Sequence, residues 1–448
     1  MNSKRHYLFL QGPTSHFFTM LAKELRKQGH EVDKINFNCG DSYYWAGQRA
    51  HHFRDDVDKL NAYLNRLFMQ HNYTDVLALG DTRPVHCPIK KIAAKYNARL
   101  QVVEEGYLRP HWLTLELHGI NGHSQLPSDP QWYTAAAKLI PDYKNGEVVS
   151  NATWLLAFHE ICYHLPNLLN PFFYRGYKTH RPVISGLEIA GWASRFARLP
   201  SWEKKDKSKI RRLLDAGQRY YLLPLQLDSD AQIVNHSPFN NMSEIIDKVL
   251  ASFSQYAPAD AVLVIKNHPL DTGFVNFKQL IQRLEKKYGL AGRTLYLQSG
   301  HLPSLLDASK GVITVNSTVG TSALVHNCPT IALGKAIYDM PGLTFQAGLD
   351  QFWKNGQAPD KKLFRDFRNV VIHATQINGG FYSFKGVKLG VANCARVMTQ
   401  AQSQLQLLEA QVAHQALLAE TELADTKSTV TELRAEPAKV QISRIHSA

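Results

Sequence analysis

Two acidic residues, a glycine and an arginine follow an apolar, strand-like run in this sequence. Glu104 and Glu105 come directly after RLQVV, and Arg109 stands four residues after Glu105. Carboxyl groups serve as general acids, general bases or nucleophiles, and a guanidinium binds carboxylate or phosphate through paired hydrogen bonds. Because neighbouring side chains of a strand point to opposite faces, we expect one glutamate to face a site. A capped turn with a local Glu–Arg pair is the structural alternative.

A second pair of carboxylates lies in LQLDSDAQI, residues 225–233. Asp228 and Asp230 form a D-x-D pair, a pattern that holds a divalent cation on a nucleotide diphosphate in metal-dependent sugar transferases. Magnesium sites need few protein carboxylates, so this pair would suffice. The alternative interpretation is one catalytic carboxylate beside one structural or solvated carboxylate.

Two loops of the second half carry groups that suit an anion. Lys266 and His268 stand in KNHP after the strand-like AVLVI, and such a corner suits a phosphate or a leaving-group oxygen. In VNSTVGTSAL a strand runs into a helix start, where backbone N–H groups bind phosphate. A satisfied loop histidine and an ordinary Ser/Thr N-cap are the structural alternatives. The candidate phosphate-binding residues of the second loop are Asn316, Ser317, Thr318, Gly320, Thr321 and Ser322.

Two strand ends of the first half place glycine beside polar side chains. FLQGP contains Gln11 and Gly12, and GDTRPVH contains Asp81 and Arg83. We predict that these four residues contact substrate, although the conformational demands of turns explain part of the pattern.

The elements that must position these loops alternate between strand and helix patterns. One β-α alternation runs from residue 6 to about residue 105, and a second starts near residue 218. Such alternation is typical of parallel, doubly wound sheets, which bind ligands at the carboxyl ends of their strands. The sequence therefore predicts an α/β protein in which two Rossmann-like domains face a cleft.

A basic and aromatic region separates the two halves, and we predict a helical insertion there. Residues 153–174 are rich in Trp, Phe, Leu and Tyr, and residues 171–214 carry 11 Lys and Arg against three acidic residues. This combination suits docking on an anionic membrane surface; the alternative is an insertion packed on its own core. The predicted divisions are 1–130, 131–215 (insertion), 216–385, 386–425 (C-terminal helices) and 426–448 (disordered tail).

Composition narrows the classes of partner. The 448 residues carry a net charge of +13, with a pI of about 9.3, which favours an anionic partner. The five cysteines show neither disulfide-framework nor zinc-finger spacing and favour a reducing compartment. There is no apolar run of transmembrane length. The positive charge clusters beside an apolar segment without a recognised nucleic-acid motif, so nucleic acid is not expected.

Taken in order, these motifs resemble those of the KpsS-type capsular polysaccharide synthesis proteins of Gram-negative bacteria. The resemblance covers about residues 6–390 and rests on FLQGP, FNCGD, GDTRPVH, EEGYLRP, QLDSDAQI-x-NHS, VIKNHP, TVNSTVGTSAL and GLTFQAGLDQFW. It implies a GT-B-like fold and a retaining β-Kdo glycosyltransferase. Such an enzyme would transfer Kdo from CMP-Kdo to lysophosphatidylglycerol and start the poly-Kdo linker used in capsule synthesis and export.

The resemblance also implies roles for individual residues. In related Kdo transferases a Gln-x-x-x-Asp stretch supplies the nucleophile, which would here be Asp230 with Gln226 nearby. The acid/base would come from the glutamate pair, and we favour Glu105 over Glu104 because it precedes the glycine. Arg109 would bind the Kdo carboxylate or hold the acids.

The expected donor determines the expected cofactors. Lys266, His268 and the helix start after Ser317 would neutralise the phosphate of the CMP-sugar. Because that donor carries a single phosphate, no metal and no other cofactor is expected.

The implied location is cytoplasmic and peripheral, on the inner face of the inner membrane. A second Kdo transferase and the capsule ABC exporter are the implied protein partners. Two other functions stay open: a non-catalytic, glycolipid-binding adaptor of the export assembly, and a UDP-sugar transferase that uses a metal at Asp228 and Asp230.

Overall fold

The first half of the chain forms alternating strands and helices in this computed structural model, which describes residues 4–150, 153–177, 185–228, 230–271 and 273–435. Short apolar runs become strands, and runs with apolar residues every three or four positions become helices. The strands are β1 (His6–Phe9), β2 (Glu31–Asn36), β3 (His51–His52), β4 (Asp75–Leu79), β5 (Arg99–Glu105) and β6 (Trp112–Leu117). The helices are α1 (Phe17–Lys27), α2 (Cys39–Tyr44), α3 (Leu60–Gln70) and α4 (Ile89–Lys95), with 3-10 turns at Val57–Lys59 and Asn121–His123.

Within the described residues, the region between the halves contains four helices and a non-helical segment at residues 138–150. Its helices are α5 (Pro130–Ala137), α6 (Thr153–Asn167), α7 (Asn170–Phe173) and α8 (Ser185–Asp215). Helix α6 packs against α2 of the first half. Leu213 near the end of α8 joins the core of the second half. The insertion thus contacts both halves, in agreement with the predicted helical insertion.

The second half repeats the alternation of strand and helix. Its strands are β7 (Tyr220–Pro224), β8 (Val262–Lys266), β9 (Thr294–Leu297), β10 (Val312–Thr314) and β11 (Thr330–Ala332). Its helices are α9 (Ala231–His236), α10 (Met242–Tyr256), α11 (Phe277–Tyr288), α12 (Leu302–Asp307), α13 (Thr318–Val325), α14 (Leu349–Asn355) and α15 (Lys361–Thr375).

The chain then returns to the first half through β12 (Gln376–Asn378), α16 (Phe384–Met398) and α17 (Gln404–Ala435). Strand β12 pairs antiparallel with β6, and α16 packs against α1. The chain therefore returns to the first sheet at β12, before the predicted boundary at residue 385. There β12 covers the edge that β6 would otherwise expose.

Helix α17 also differs from its prediction. It spans Gln404–Ala435 and so includes residues 426–435 of the predicted disordered tail. Extending an existing helix is favourable because each added residue contributes one hydrogen bond. The rest of that prediction, residues 436–448, lies outside the described residues.

Two sheets carry the fold, and their strand orders agree with the predicted α/β class. Within the described residues, the first sheet has the order β12-β6-β5-β4-β1-β2-β3, and the second has the order β11-β10-β7-β8-β9. Strands β3, β2, β1, β4 and β5 run parallel, as do all strands of the second sheet. The predicted pair of Rossmann-like domains is confirmed.

The two halves meet through a shared apolar cluster. Tyr107 and Leu108, which follow β5, pack with Leu324 of α13 and with Tyr338. Separate cores fill the faces of each sheet. This contact brings the carboxyl ends of β4 and β5 toward those of β7, β8 and β10, where the candidate residues lie.

Among the described residues, every helix is too short or too polar to cross a bilayer.

Candidate active site

The strand β5 turns its two glutamates to opposite faces of the first sheet. Val102 packs in the core on the α3 and α4 side, and Val103 packs on the α1 side, so Glu104 and Glu105 alternate in the same way. Asn121 donates a hydrogen bond from Nδ2 to Glu104 Oε2 at 3.1 Å. Asp230 of the second half acts on the pKa of Glu104, whereas the neighbouring charge that acts on Glu105 is Arg109. These charges favour Glu104 over Glu105, the glutamate that the sequence favoured, as the one nearer to the second half.

Glu104 has the electrostatic surroundings of a group that exchanges protons near neutral pH. Burial raises its pKa to about 7; the Arg83 guanidinium opposes that shift, and the Asp230 carboxylate adds to it. Arg109 lowers the pKa and Asp81 raises it, both by smaller amounts. A carboxyl group with a pKa near the working pH suits general acid or base catalysis.

Asp230 is held by groups from two neighbouring strand ends. Its Oδ1 accepts a hydrogen bond from the Gln232 N–H at 2.9 Å, which makes it the N-cap of α9. Its Oδ2 accepts from Gln226 Nε2 at 3.1 Å. Gln226 Nε2 also donates to Asn316 Oδ1 at 3.2 Å. Gln226 after β7 and Asn316 after β10 thus orient the carboxylate, as the Gln-x-x-x-Asp spacing predicts.

Asp228 faces different partners. Its Oδ1 accepts from the backbone N–H of Met242, the first residue of α10, at 3.1 Å. Because Asp228 binds the start of α10 while Asp230 binds Gln226, the geometry favours the interpretation in which Asp228 is structural.

The KNHP loop presents a neutral histidine beside a buried lysine. Burial, and then the positive charge of Lys266, lower the pKa of His268 to about 4. His268 Nδ1 accepts from the Leu270 N–H at 3.1 Å, which places the proton of the neutral ring on Nε2. Lys266 is buried, and burial lowers its pKa too. His268 therefore offers a hydrogen-bond donor rather than the cation that the sequence suggested.

Arg195 of α8 fixes this loop, and sequence analysis did not single it out. Its guanidinium donates to the carbonyl oxygens of Pro269 at 2.8 Å and His268 at 3.1 Å, and to the Gln298 carbonyl at 3.1 Å. The side chain is buried. In the sequence it is one of many basic residues of the insertion, and no spacing distinguishes it.

The hydroxyl groups at the start of α13 form hydrogen bonds with backbone groups of the protein. Ser317 is the N-cap and accepts from the Val319 N–H at 3.2 Å, as the structural alternative proposed. Thr321 Oγ1 donates to the Tyr107 carbonyl of the first half at 3.2 Å, and Ser322 Oγ donates to the Thr318 carbonyl at 3.3 Å.

A glycine allows the close packing of this helix. A Cβ at Gly320 would collide with the Tyr338 hydroxyl group, which donates to the Ser317 carbonyl at 2.6 Å. Asn316, Ser317, Thr318 and Ser322 are half-buried, and Asn316 is linked to Asp230 through Gln226.

Two of the predicted residues of the first half, Gln11 and Arg83, form one network with the insertion. Arg83 Nη1 donates to Gln11 Oε1 at 3.0 Å. Gln11 Nε2 donates to the Tyr163 hydroxyl of α6 at 3.1 Å and to Asp41 Oδ2 at 3.4 Å. Beside Gln11, a Cβ at Gly12 would collide with the Phe18 ring. Gln11 thus orients Arg83, whose charge reaches Glu104.

Two histidines at the junction of the halves were missed as candidates. His123 Nδ1 lies 2.9 Å from Asp81 Oδ2, and its ring meets the ring of buried His236 at a centroid distance of 4.5 Å. A Cβ at Gly122 would collide with His236. Asp81, His123 and His236 offer ligand atoms within 4.8 Å of one another and could hold a metal ion. His236 lies in the NHS part of the QLDSDAQI-x-NHS motif, from which only Asp228, Asp230 and Gln226 were chosen as candidates.

Comparison with known proteins places the chain in a family. The family model described as "Capsule polysaccharide biosynthesis protein" matches residues 74–382. The chain is 36% identical over 383 residues to the capsule polysaccharide export protein KpsS of Escherichia coli, covering 85% of this chain and 97% of that protein. It is also 36% identical over 390 residues to the capsule polysaccharide modification protein LipB of Neisseria meningitidis serogroup B, covering 86% and 93%.

Solved structures show a distant likeness. KpsC from Thermosulfurimonas dismutans, described as a beta Kdo 2,7 transferase, aligns with a TM-score of 0.41 and 12% identity over 88% of this chain and 100% of that one. The family model and the relatives of high coverage show that this chain is a KpsS-type member of the capsule polysaccharide biosynthesis proteins.

Proposed function

We propose that this chain is a retaining β-Kdo glycosyltransferase that transfers Kdo from CMP-Kdo to a lysophosphatidylglycerol acceptor. One feature supports the proposal: the carboxylate of Asp230 in the second half raises the pKa of Glu104 in the first half, after the larger effects of burial and Arg83. One carboxyl group is poised for proton transfer, and the other is oriented by Gln226. A double displacement requires such a pair of carboxyl groups.

The first step forms a glycosyl-enzyme. The Asp230 carboxylate attacks the anomeric carbon of Kdo, the bond from that carbon to the phosphate oxygen breaks, and CMP leaves with the electron pair. His268 Nε2–H, Lys266 and the α13 start stabilise the negative charge of the leaving phosphate. Arg109 pairs with the carboxylate of Kdo.

The second step transfers the sugar to the acceptor. Glu104 takes the proton of the acceptor hydroxyl group while the oxygen of that hydroxyl group attacks the anomeric carbon. The bond to Asp230 breaks and the carboxylate is restored. Two inversions at one carbon give net retention.

The proposed reaction uses no metal between enzyme and donor, because CMP-Kdo carries one phosphate. The metal-dependent alternative uses Asp228 as its second carboxylate. The Oδ1 atom of Asp228 instead accepts a hydrogen bond from the Met242 N–H at the start of α10.

The proposed location is peripheral, on the inner face of the inner membrane, where the acceptor lipid would be found. Helices α6 and α7, with the two residues between them, expose an apolar stripe, and Glu160, the acidic residue of 153–177, is buried. Apolar side chains beside basic residues bind anionic membrane surfaces. The stripe consists of Trp154, Phe158, Ile161, Leu165, Leu168, Leu169, Phe172 and Phe173. A second Kdo transferase and the capsule exporter are proposed as neighbours in the assembly.

Charging this stripe is expected to weaken membrane binding. In the double variant Leu165→Glu/Phe172→Glu, two apolar contacts are lost and two negative charges face the lipid, so vesicle binding should fall at least about tenfold. Co-sedimentation with phosphatidylglycerol-containing vesicles measures it. Phe384→Glu is the matched control, since Phe384 on α16 is 81% exposed and lies outside the stripe. Equal binding by the double variant and the wild type would exclude this surface.

The direct test is a transfer assay with purified full-length protein. We expect CMP-Kdo and fluorescent lysophosphatidylglycerol to give a Kdo-lipid whose linkage is read by NMR. We expect activity to persist in EDTA, because no metal bridges the donor. Absence of product, while a known Kdo transferase succeeds in the same mixture, would reject the proposal. Product from a UDP-sugar with strict metal dependence would support the alternative transferase instead.

A further inference from the structure

Three histidines and an aspartate converge on one side of the first sheet, away from the carboxyl ends of its strands. His6 begins β1, Asp33 lies within β2, His51 begins β3, and His71 directly follows α3. Glu104 and Gln11 lie at the carboxyl ends of β5 and β1 instead. The proposed transfer reaction therefore leaves this cluster unused.

The ligand atoms are spaced as in a metal site. Asp33 Oδ2 lies 3.1 Å from His6 Nε2 and 3.7 Å from His51 Nε2. Ligand atoms of Asp33, His51 and His71 all lie within 4.8 Å of one another. Tetrahedral ligands at zinc distances of about 2.0–2.2 Å stand roughly 3.3 Å apart. Small side-chain rotations would bring the atoms of Asp33, His51 and His71 around one ion. His6 lies outside that mutual spacing but within 3.1 Å of Asp33, and it would have to turn toward the ion to become the fourth ligand.

The His71 ring closes the cluster on its remaining side. Its centroid lies 5.6 Å from that of His51 and 6.1 Å from that of His6. A hydrogen-bond network centred on Asp33 accounts for His6 and His51, but it does not by itself require a third imidazole at this place. A tetrahedral ion accounts for all four side chains.

The surroundings supply access and support. The side chains of His6, Asp33 and His51 are 17%, 24% and 22% exposed, so an ion can enter from solvent. The Tyr73 hydroxyl group donates to Asp33 Oδ2 at 2.9 Å. Hydrogen bonds of this kind orient metal-binding carboxylates and raise affinity.

The choice of metal follows from the ligand types. Three imidazoles and one carboxylate suit zinc and other late first-row ions, whereas magnesium and calcium prefer oxygen ligands alone. The cysteine spacing that signals a zinc site in sequence is absent from this set, so sequence analysis did not anticipate it.

We propose that His6, Asp33, His51 and His71 form a structural zinc site that fastens the edge strand β3 to β2, β1 and the segment before β4. Strand β3 is two residues long and pairs with β2 through Ile35 and Asn36. Such a short edge strand gains little from its own pairing. A bound ion would add a connection among four segments that are distant in sequence.

The test measures zinc in the full-length protein without a histidine tag. After incubation with zinc chloride and removal of free ion, bound zinc is determined by mass spectrometry, and thermal unfolding is followed with and without zinc. The wild type should gain a few degrees in Tm at zinc concentrations about 100-fold above Kd. His71→Ala should lose about one equivalent of zinc and most of that gain in Tm.

A control variant and a second ligand variant separate this site from other histidines. His326→Ala removes a histidine that lies 2.6 Å from Asp307 but outside the cluster, and it should bind as much zinc as the wild type. His51→Ala should lose the same equivalent as His71→Ala, and the double variant should lose no more. Unchanged zinc content in both His71→Ala and His51→Ala would overturn the proposal.

Discussion

Asp230→Asn is expected to lower Kdo transfer by about three orders of magnitude or more while leaving the protein folded. The amide cannot attack the anomeric carbon, so the glycosyl-enzyme cannot form. Asparagine caps helices about as well as aspartate, so the hydrogen bond from the Gln232 N–H to the side-chain oxygen of residue 230 can be kept. Initial rates of Kdo-lipid formation measure activity, and circular dichroism with thermal unfolding reports the fold.

Asp228→Asn is the matched control for this prediction. It changes the same side-chain type two residues away, but Asp228 binds the Met242 N–H, which an asparagine oxygen can also accept. We expect its rate to stay within a few-fold of the wild type. A rate for Asp230→Asn within about tenfold of the wild type would exclude Asp230 as the nucleophile, because nucleophile loss costs far more. Undiminished capsule export by Asp230→Asn in cells would favour the non-catalytic adaptor.

Glu104→Gln is expected to lower kcat by about 10²–10⁴-fold and to remove a step from the pH profile. With a pKa of about 7, Glu104 becomes an effective base as the pH rises through neutrality. The wild-type rate should therefore rise between about pH 6 and pH 8, and the rate of the variant should not. Rates measured at saturating donor across this range test the prediction.

The same substitution should change stability in a pH-dependent way. The folded state raises the pKa of Glu104 from 4.5 to about 7, so it binds more protons than the unfolded state between these values. Stability from this group is fully present below pH 4.5 and is lost as the pH rises through 7. Glu104→Gln should thus gain stability relative to the wild type at pH 8, by at most about 3 kcal/mol. Thermal unfolding of both proteins at pH 5 and pH 8 measures the difference.

Glu105→Gln is the control for both measurements. Glu105 stands on the opposite face of β5, and its pKa is raised by burial and lowered by Arg109. We expect its catalytic loss to be less than about tenfold. If Glu105→Gln proves the more damaging variant, the assignment of the acid/base to the Asp230-facing side of β5 is wrong.

Much of the fold follows from local pattern. The apolar runs ending at Phe9, Leu79 and Lys266 are strands because each is short, buried and followed by a turn, and the helices between them carry apolar residues at helical spacing. Strands of this kind alternating with helices form parallel sheets, whose ends gather the loops. The pairing of Gln226 with Asp230 could likewise be expected, since they stand four positions apart in a recognisable motif.

Other features depend on contacts between distant residues. The return of β12 to β6 joins residues more than 250 positions apart, and no local pattern encodes such a partner. The hydrogen bonds from Arg195 to the carbonyl oxygens of the KNHP loop also join distant residues. The sequence does not distinguish Arg195 from the other basic residues of the insertion, because its role depends on how the helix packs.

The sequence by itself determined the α/β class, the positions of the loops and the residue types available for chemistry, because these depend on periodicity and composition. Only the tertiary structure decided which glutamate faces Asp230, that His268 is neutral, and that His123 meets His236 across the halves. Each of these depends on which groups are brought together and how far they are removed from water. Burial and neighbouring charges shift a pKa away from the value that the residue type gives, and tertiary packing supplies both.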